Sequence, residues 1–343
     1  MLRELDHLPP GLLQLEAAEL AAALGGPTLI HLPGRREPAL FVSLLMHGNE
    51  TVGWEAVREL LALYGDRQLP RALSLFIGNV AAAARGLRRL DGQPDYNRVW
   101  PGSDQPETPE HRLMRRVVDI MAARGVFASV DVHNNTGLNP HYACVNRLDH
   151  RFFHLATLFS RTVVYFLRPL GVQSMALAKL CPAVTLECGK VGQARGVDHA
   201  RDYIDACLHL AEHSEHPVAA QDIDLFHTVA QVRVPAEVSF GFGERGRDIR
   251  FAEDLDRLNF RELPAGTSFG CTNSPRGLPL EVRDEQGRDV AERYFEVEQR
   301  ELRVRLPVMP SMLTTDCEVI RQDCLCYLME RFGQQLAAVE RGD

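Results

Sequence analysis

The sequence predicts an α/β fold followed by a smaller, mostly β domain. Over the first two-thirds of the chain, short apolar runs alternate with amphipathic stretches, as when strands and helices take turns. Near Pro217 this texture gives way to short alternating strands separated by turn signals. The composition is that of a globular protein: 343 residues, 45% hydrophobic and 24% charged. A chain of that length buries roughly three-quarters of its unfolded surface, so it needs neither disulfide nor metal to fold. At ~150 residues per domain, two units are expected, 1–217 and 218–343.

The elements follow in order. Residues 13–23 have helical periodicity, stopped by Gly25-Gly26-Pro27. Residues 28–32 and 39–45 read as strands. Residues 51–64 place Val52, Ala56, Leu60 and Tyr64 on one helical face. A strand is expected over 73–77. The segment 85–109, rich in Arg, Asp, Gly and Pro, is a loop long enough to be functional rather than a connector. A helix over 110–123 precedes an apolar strand over 126–132, and strands over 162–166 and 183–186 complete the central set. Residues 198–212 form the last helix of the first unit. Beyond it, strands are expected over 228–234 and 301–306, with turns at Pro264-Ala265-Gly266, Ser274-Pro275-Arg276-Gly277 and Glu285-Gln286-Gly287. Residues 317–336 return to a helical pattern, so the second unit is expected to end in a helix.

Charge and hydropathy exclude several classes. Thirty-eight Lys and Arg against 46 Asp and Glu give −8, without the basic footprint of a nucleic-acid binder. The most apolar stretch, 39–46, is far short of the ~20 residues a spanning helix needs, so no membrane partner is expected. Glu4 and Asp6 stand where a signal peptide would be basic. Eight cysteines at irregular spacing, with no CxxC pair, read as reduced thiols, and the expected location is the cytoplasm. Gly241-Phe242-Gly243-Glu244-Arg245-Gly246 spells GxGxxG, but Arg247-Asp248-Ile249-Arg250 follows it instead of an apolar helix, so a β turn is expected and no dinucleotide.

Four short motifs carry the chemistry. Met46-His47-Gly48-Asn49-Glu50 joins a strand to a helix, and a His and a carboxylate three residues apart on such a turn can converge on one ion. Zinc favours this donor pair. The structural alternative makes His47 a turn residue and Glu50 a helix cap. Val130-Asp131-Val132-His133-Asn134-Asn135-Thr136 ends an apolar strand in polar residues, delivering His133 at the tip as a third ligand. Asp131, two residues earlier on the same strand face, is its candidate hydrogen-bond partner. Glu187, in Leu186-Glu187-Cys188-Gly189, also ends an apolar strand, where an unpaired carboxylate is costly without a task; beside a metal it can act as general base. The long loop holds Arg85, Arg88, Arg89, Asp95, Asn97 and Arg98, and an arginine fork suits a carboxylate-bearing substrate.

Taken in order, His47-Gly48-Asn49-Glu50, Asp95-Tyr96-Asn97-Arg98, Asp131-Val132-His133-Asn134 and Glu187-Cys188-Gly189 resemble the succinylglutamate desuccinylase/aspartoacylase family, within the zinc-carboxypeptidase-like superfamily. The resemblance covers residues 40–215. It implies a zinc-carboxypeptidase-like mixed sheet flanked by helices, and one Zn2+ per chain bound by His47, Glu50 and His133. It further implies Glu187 as the base, Asn97 and Arg98 as holders of a substrate carboxylate, and Arg88 polarising the scissile carbonyl. Arg89 is the alternative for that arginine and otherwise a substrate-binding residue. Tyr96 replaces the family's usual Leu, and Asn135 replaces a usual Thr; both are expected beside the pocket. The implied activity is zinc-dependent hydrolysis of an amide in a small carboxylate-bearing molecule, of the N-acyl amino acid deacylase type. A metallocarboxypeptidase acting on short peptides and a non-catalytic metal-binding homologue are the alternatives. A homo-oligomer is left open.

Overall fold

Runs such as ALFVSL and LSLFI carry almost no polar side chains, and such strands are stable only where both faces are covered. The computed structural model, which describes residues 1–243, 246–274 and 277–332, buries every residue of both runs. In chain order the elements are β1 (Arg3–Leu5), α1 (Leu20–Leu24), β2 (Thr28–Leu32), β3 (Ala39–Leu44), α2 (Val52–Tyr64), β4 (Leu73–Ile77), α3 (Val80–Ala83) and α4 (Pro109–Arg124). Next come β5 (Val126–Asn135), β6 (Tyr142–Val145), α5 (His150–Thr157), β7 (Thr162–Tyr165), α6 (Gln173–Leu177), β8 (Ala183–Lys190) and α7 (Ala194–His209). The remainder comprises β9 (Asp224–Arg233), β10 (Phe240–Phe242), β11 (Ile249–Phe251), β12 (Ser268–Thr272), β13 (Glu281–Asp284), α8 (Ala291–Tyr294), β14 (Phe295–Glu298), β15 (Glu301–Val304), β16 (Met309–Ser311), α9 (Cys317–Gln322) and β17 (Cys326–Arg331).

Among the described residues, twelve strands form one mixed sheet, ordered β1-β2-β4-β3-β5-β8-β6-β7-β9-β17-β16 with β13 on β9. Its centre, β4-β3-β5-β8, is parallel, and β6 runs antiparallel to β8. A separate five-stranded sheet has the order β10-β11-β12-β15-β14. The class is therefore the expected one, a large mixed sheet flanked by helices with a smaller β sheet beside it. Alternation along β5 assigns the helices to faces: Val132 abuts Gly53 of α2, whereas Ser129 accepts a hydrogen bond from Gln173 of α6. Residues an odd number apart point to opposite sides, so α2 and α6 cover opposite faces. Asp131 and His133 share the α6 side. One apolar core fills the first part of the chain, and a second begins at Ala230.

Two expectations are corrected. Residues 13–23 are divided between two 3-10 turns (Leu12–Gln14 and Ala17–Glu19) and α1, which spans only Leu20–Leu24. The Glu16 backbone N–H donates to the Glu19 carboxylate, restarting the helix there instead of continuing it. The helix expected over 317–336 stops at Gln322, and Cys326–Arg331 is a strand on β9. Cys326 and Leu328, both fully buried, have the period of two that pairing demands; residues 333–336 lie outside the described residues. Of the GxGxxG segment, Phe240–Phe242 is a strand, and residues 244 and 245 lie outside the description. Among the described residues, no helix is long and apolar enough to cross a membrane.

Candidate metal centre and active site

The parallel strands β3, β5 and β8 all end at one edge, where open α/β sheets place their ligand sites. After β3 the chain passes through Leu45, fully buried at φ 54°, into the turn carrying His47 and Glu50. Gly48 lets this turn lie directly on α3, because a Cβ there would come within 2.2 Å of the Ala83 nitrogen. The Gly48 N–H donates to the Arg88 carbonyl at 3.0 Å, locking turn and arginine loop together. Asn134 fixes the other side. Its Oδ1 accepts from the Val52 N–H at the start of α2, and its own N–H donates to Glu50. An otherwise orphaned helix N–H is thereby satisfied.

His47, Glu50 and His133 bring one ligand atom each to within 4.8 Å of one another, the one such cluster among the described residues. Nδ1 of His47 donates to Glu50 Oε1 at 2.8 Å, and Nδ1 of His133 to Oε2 at 2.7 Å. Each ring gives its other nitrogen to a second carboxylate: His47 Nε2 to Asp95 at 3.0 Å, His133 Nε2 to Asp131 at 2.8 Å. Metal-binding histidines are commonly oriented by such a carboxylate, which leaves the opposite nitrogen for the ion. Two imidazoles and a carboxylate are also a donor set that zinc accepts.

The electrostatics follow from these contacts. Burial and the Arg88 charge work against protonation of His47, but Glu50 and Asp95 outweigh them and raise its pKa. Burial likewise opposes a charged His133, yet Asp131 and Glu50 hold its pKa well above the usual value. Glu50 and Asp95 would be raised by burial and are instead drawn down, Glu50 by the two histidines and Asp95 by His47 and Arg88. Glu187, within β8, which runs on to Lys190 instead of ending at this residue as expected, lacks comparable partners. Burial pushes it up to about 8 despite His133 nearby, and its closest donor is Asn135 Nδ2 at 3.5 Å.

A cavity of about 100 Å³ collects His47, Glu50, Arg88, Arg98, His133 and Glu187. Arg88 donates from Nη2 to Asp95 at 2.9 Å, and its buried Nε has no partner. Asn97 and Arg98 line the same cavity. Asn97 gives Nδ2 to Asp131 and accepts the Gln173 N–H on Oδ1. Arg98 gives Nη1 to the Asn97 carbonyl and Nη2 to Asp323. Arg89 lies apart, lining a neighbouring polar cavity and donating to the Gln93 carbonyl. Tyr96 is buried in the first core instead of facing the cavity.

Sequence reasoning gave no role to Asp95 or Asp323. The first was findable, since a histidine ligand needs a carboxylate behind it and the loop offers few. Asp323 carried no signal, because it sits where a helix was expected to continue. The apolar wall formed by Tyr142, Val164, Phe166 and Met312 was missed with β6.

With the geometry in view, comparisons with known proteins agree. No curated protein matches the chain at a significant level. Among solved structures, succinylglutamate desuccinylase from Chromobacterium violaceum is 19% identical with a TM-score of 0.56, covering 87% of this chain and 86% of that one. The enzyme of the same name from Vibrio parahaemolyticus is 14% identical with a TM-score of 0.59, covering 89% of this chain and 86% of that one. Murine aminoacylase 3 is 16% identical with a TM-score of 0.55, covering 87% and 97%. At such identities these likenesses speak for the fold. The succinylglutamate desuccinylase/aspartoacylase catalytic domain matches residues 37–211, just over half of the sequence, and the chain therefore belongs to that family.

Proposed function

We propose that this protein is a zinc-dependent amidohydrolase acting on a small, carboxylate-bearing N-acyl amino acid. The observation that carries the reading is the shared focus of His47, Glu50 and His133, each imidazole backed by its own carboxylate, in one cavity with Glu187. Nδ1 of both histidines and the Glu50 carboxylate would hold the ion. When bound, zinc supplies the Lewis acidity that makes water a nucleophile at neutral pH. Glu187 takes the proton of the attacking water on its carboxylate and returns it to the amide nitrogen as the C–N bond breaks. Arg88, whose Nε lacks a partner, donates to the carbonyl oxygen as negative charge develops there. Asn97 acts through others, holding Asp131 and so the His133 ring. No disulfide joins the described cysteines, which suits a cytoplasmic location.

The test is twofold. Elemental analysis after zinc supplementation should give about one zinc per chain, lost in His47→Ala. A panel of N-acyl amino acids beside short peptides should show turnover of the former. Turnover of peptides alone favours the carboxypeptidase alternative, and full zinc occupancy with no turnover favours the non-catalytic one.

A further inference from the structure

The arginine pair of the cavity already has a carboxylate in it. The Asp323 side chain is 12% exposed, and both its oxygens accept from Arg98 Nη2, at 3.0 and 3.1 Å, while Oδ2 also accepts from Arg88 Nη2 at 3.2 Å. Arg88 is shared with Asp95, and its Nη1 lies 3.6 Å from Glu50, so two guanidinium charges face three internal carboxylates. Nor is Asp323 loosely placed. Its N–H donates to the Val319 carbonyl at the end of α9, and two residues on, the Leu325 N–H donates to Val232 of β9. Cys324 and Leu325 are buried, and β17 begins at Cys326. The backbone is thus fixed on both sides of the carboxylate.

A second carboxylate brought to this corner by a substrate would meet Asp323 rather than an open arginine fork. The wall on the other side is apolar, made by Tyr142, Val164, Phe166, Val172 and Met312. Arg168 also lines the cavity, and its carboxylate partner Asp104 is an exposed one. We propose that Asp323 is a specificity-determining residue that fills the Arg88–Arg98 fork, so that the substrate carries a single carboxylate and places an uncharged, apolar group in the cavity. This deepens the amidohydrolase reading and rests on it.

The test uses pairs of substrates that differ in one terminal carboxylate: N-butanoyl-leucine against N-succinyl-leucine, and N-acetyl-leucine against N-acetyl-aspartate. The zinc-loaded wild type should favour the uncharged member at least 10-fold in kcat/KM. Asp323→Asn should move the ratio toward the dicarboxylate by 10-fold or more, while Asp323→Glu, which keeps the charge, should retain the wild-type preference. Independently of turnover, calorimetry should show succinate binding at least 10-fold more tightly to Asp323→Asn than to wild type, with butanoate little changed. Equal or better wild-type use of the dicarboxylates, or a ratio and a succinate affinity indifferent to Asp323→Asn, overturns the proposal. If no pair is hydrolysed, the amidohydrolase reading fails, and the succinate measurement alone decides the role of Asp323.

Discussion

Glu187→Gln tests the base through stability as well as rate. The carboxyl is 8% exposed, and burial moves its pKa from 4.5 to about 8 in the protein without metal. At 1.36 kcal/mol per pH unit, ionising it in place costs roughly 5 kcal/mol once the pH exceeds the raised value. The sign is fixed by proton counting. Between 4.5 and 8 the folded chain holds a proton that the unfolded chain has released, so stability falls as pH rises through that window. Glutamine removes the titration. The histidines titrate in both proteins, so the difference between them reports Glu187. Urea denaturation of the metal-free proteins should show the variant's advantage growing by ~3–4 kcal/mol from pH 5 to pH 8. With zinc loaded, turnover of the variant should fall ~10²–10⁴-fold. Parallel stability curves would show that Glu187 is not held neutral by burial, and unchanged turnover would remove it as the base.

The residues behind the histidines give a second prediction. Asp131→Asn and Asp95→Asn should each weaken zinc binding by about 10–100-fold in chelator competition, with the fold intact by circular dichroism. Zinc binding should release protons, because His47 and His133 have raised pKa values and must lose their protons to bind. Affinity should therefore drop steadily as pH is lowered through neutrality, and calorimetry in buffers of different ionisation enthalpy should count the protons. Gly48→Ala would drive a methyl group into the backbone of α3, costing ~1–3 kcal/mol by denaturant titration and lowering zinc occupancy.

The sequence was most readable where physics leaves few choices. Buried parallel strands must be apolar throughout, so β3, β4, β5 and β8 stood out, and the polar residues interrupting them at His133 and Glu187 marked the positions that face the cavity. Single-turn helices such as α3 and α6 and the four-residue β6 are too short for periodicity to show. The C-terminal strand was read as helix because the apolar positions Cys326, Leu328 and Met329 have a spacing compatible with either period. Partners distant in the chain were hardest. Asp323 lies 225 residues from Arg98, and only the pairing of β17 with β9 brings it there.

One strand joins the two larger cores and also gives Phe226 to a third, smaller cluster with Tyr142, Val164 and Met329. Leu225, near the start of β9, packs in the first, whereas Ala230 and Val232 of the same strand pack in the second, with β7 bonded to one edge and β17 to the other. Hinge bending of the halves would have to shear this shared ladder, exposing backbone groups that are now satisfied. Access to the interior therefore belongs to side chains and loops at the cavity's rim, and melting should be a single cooperative event.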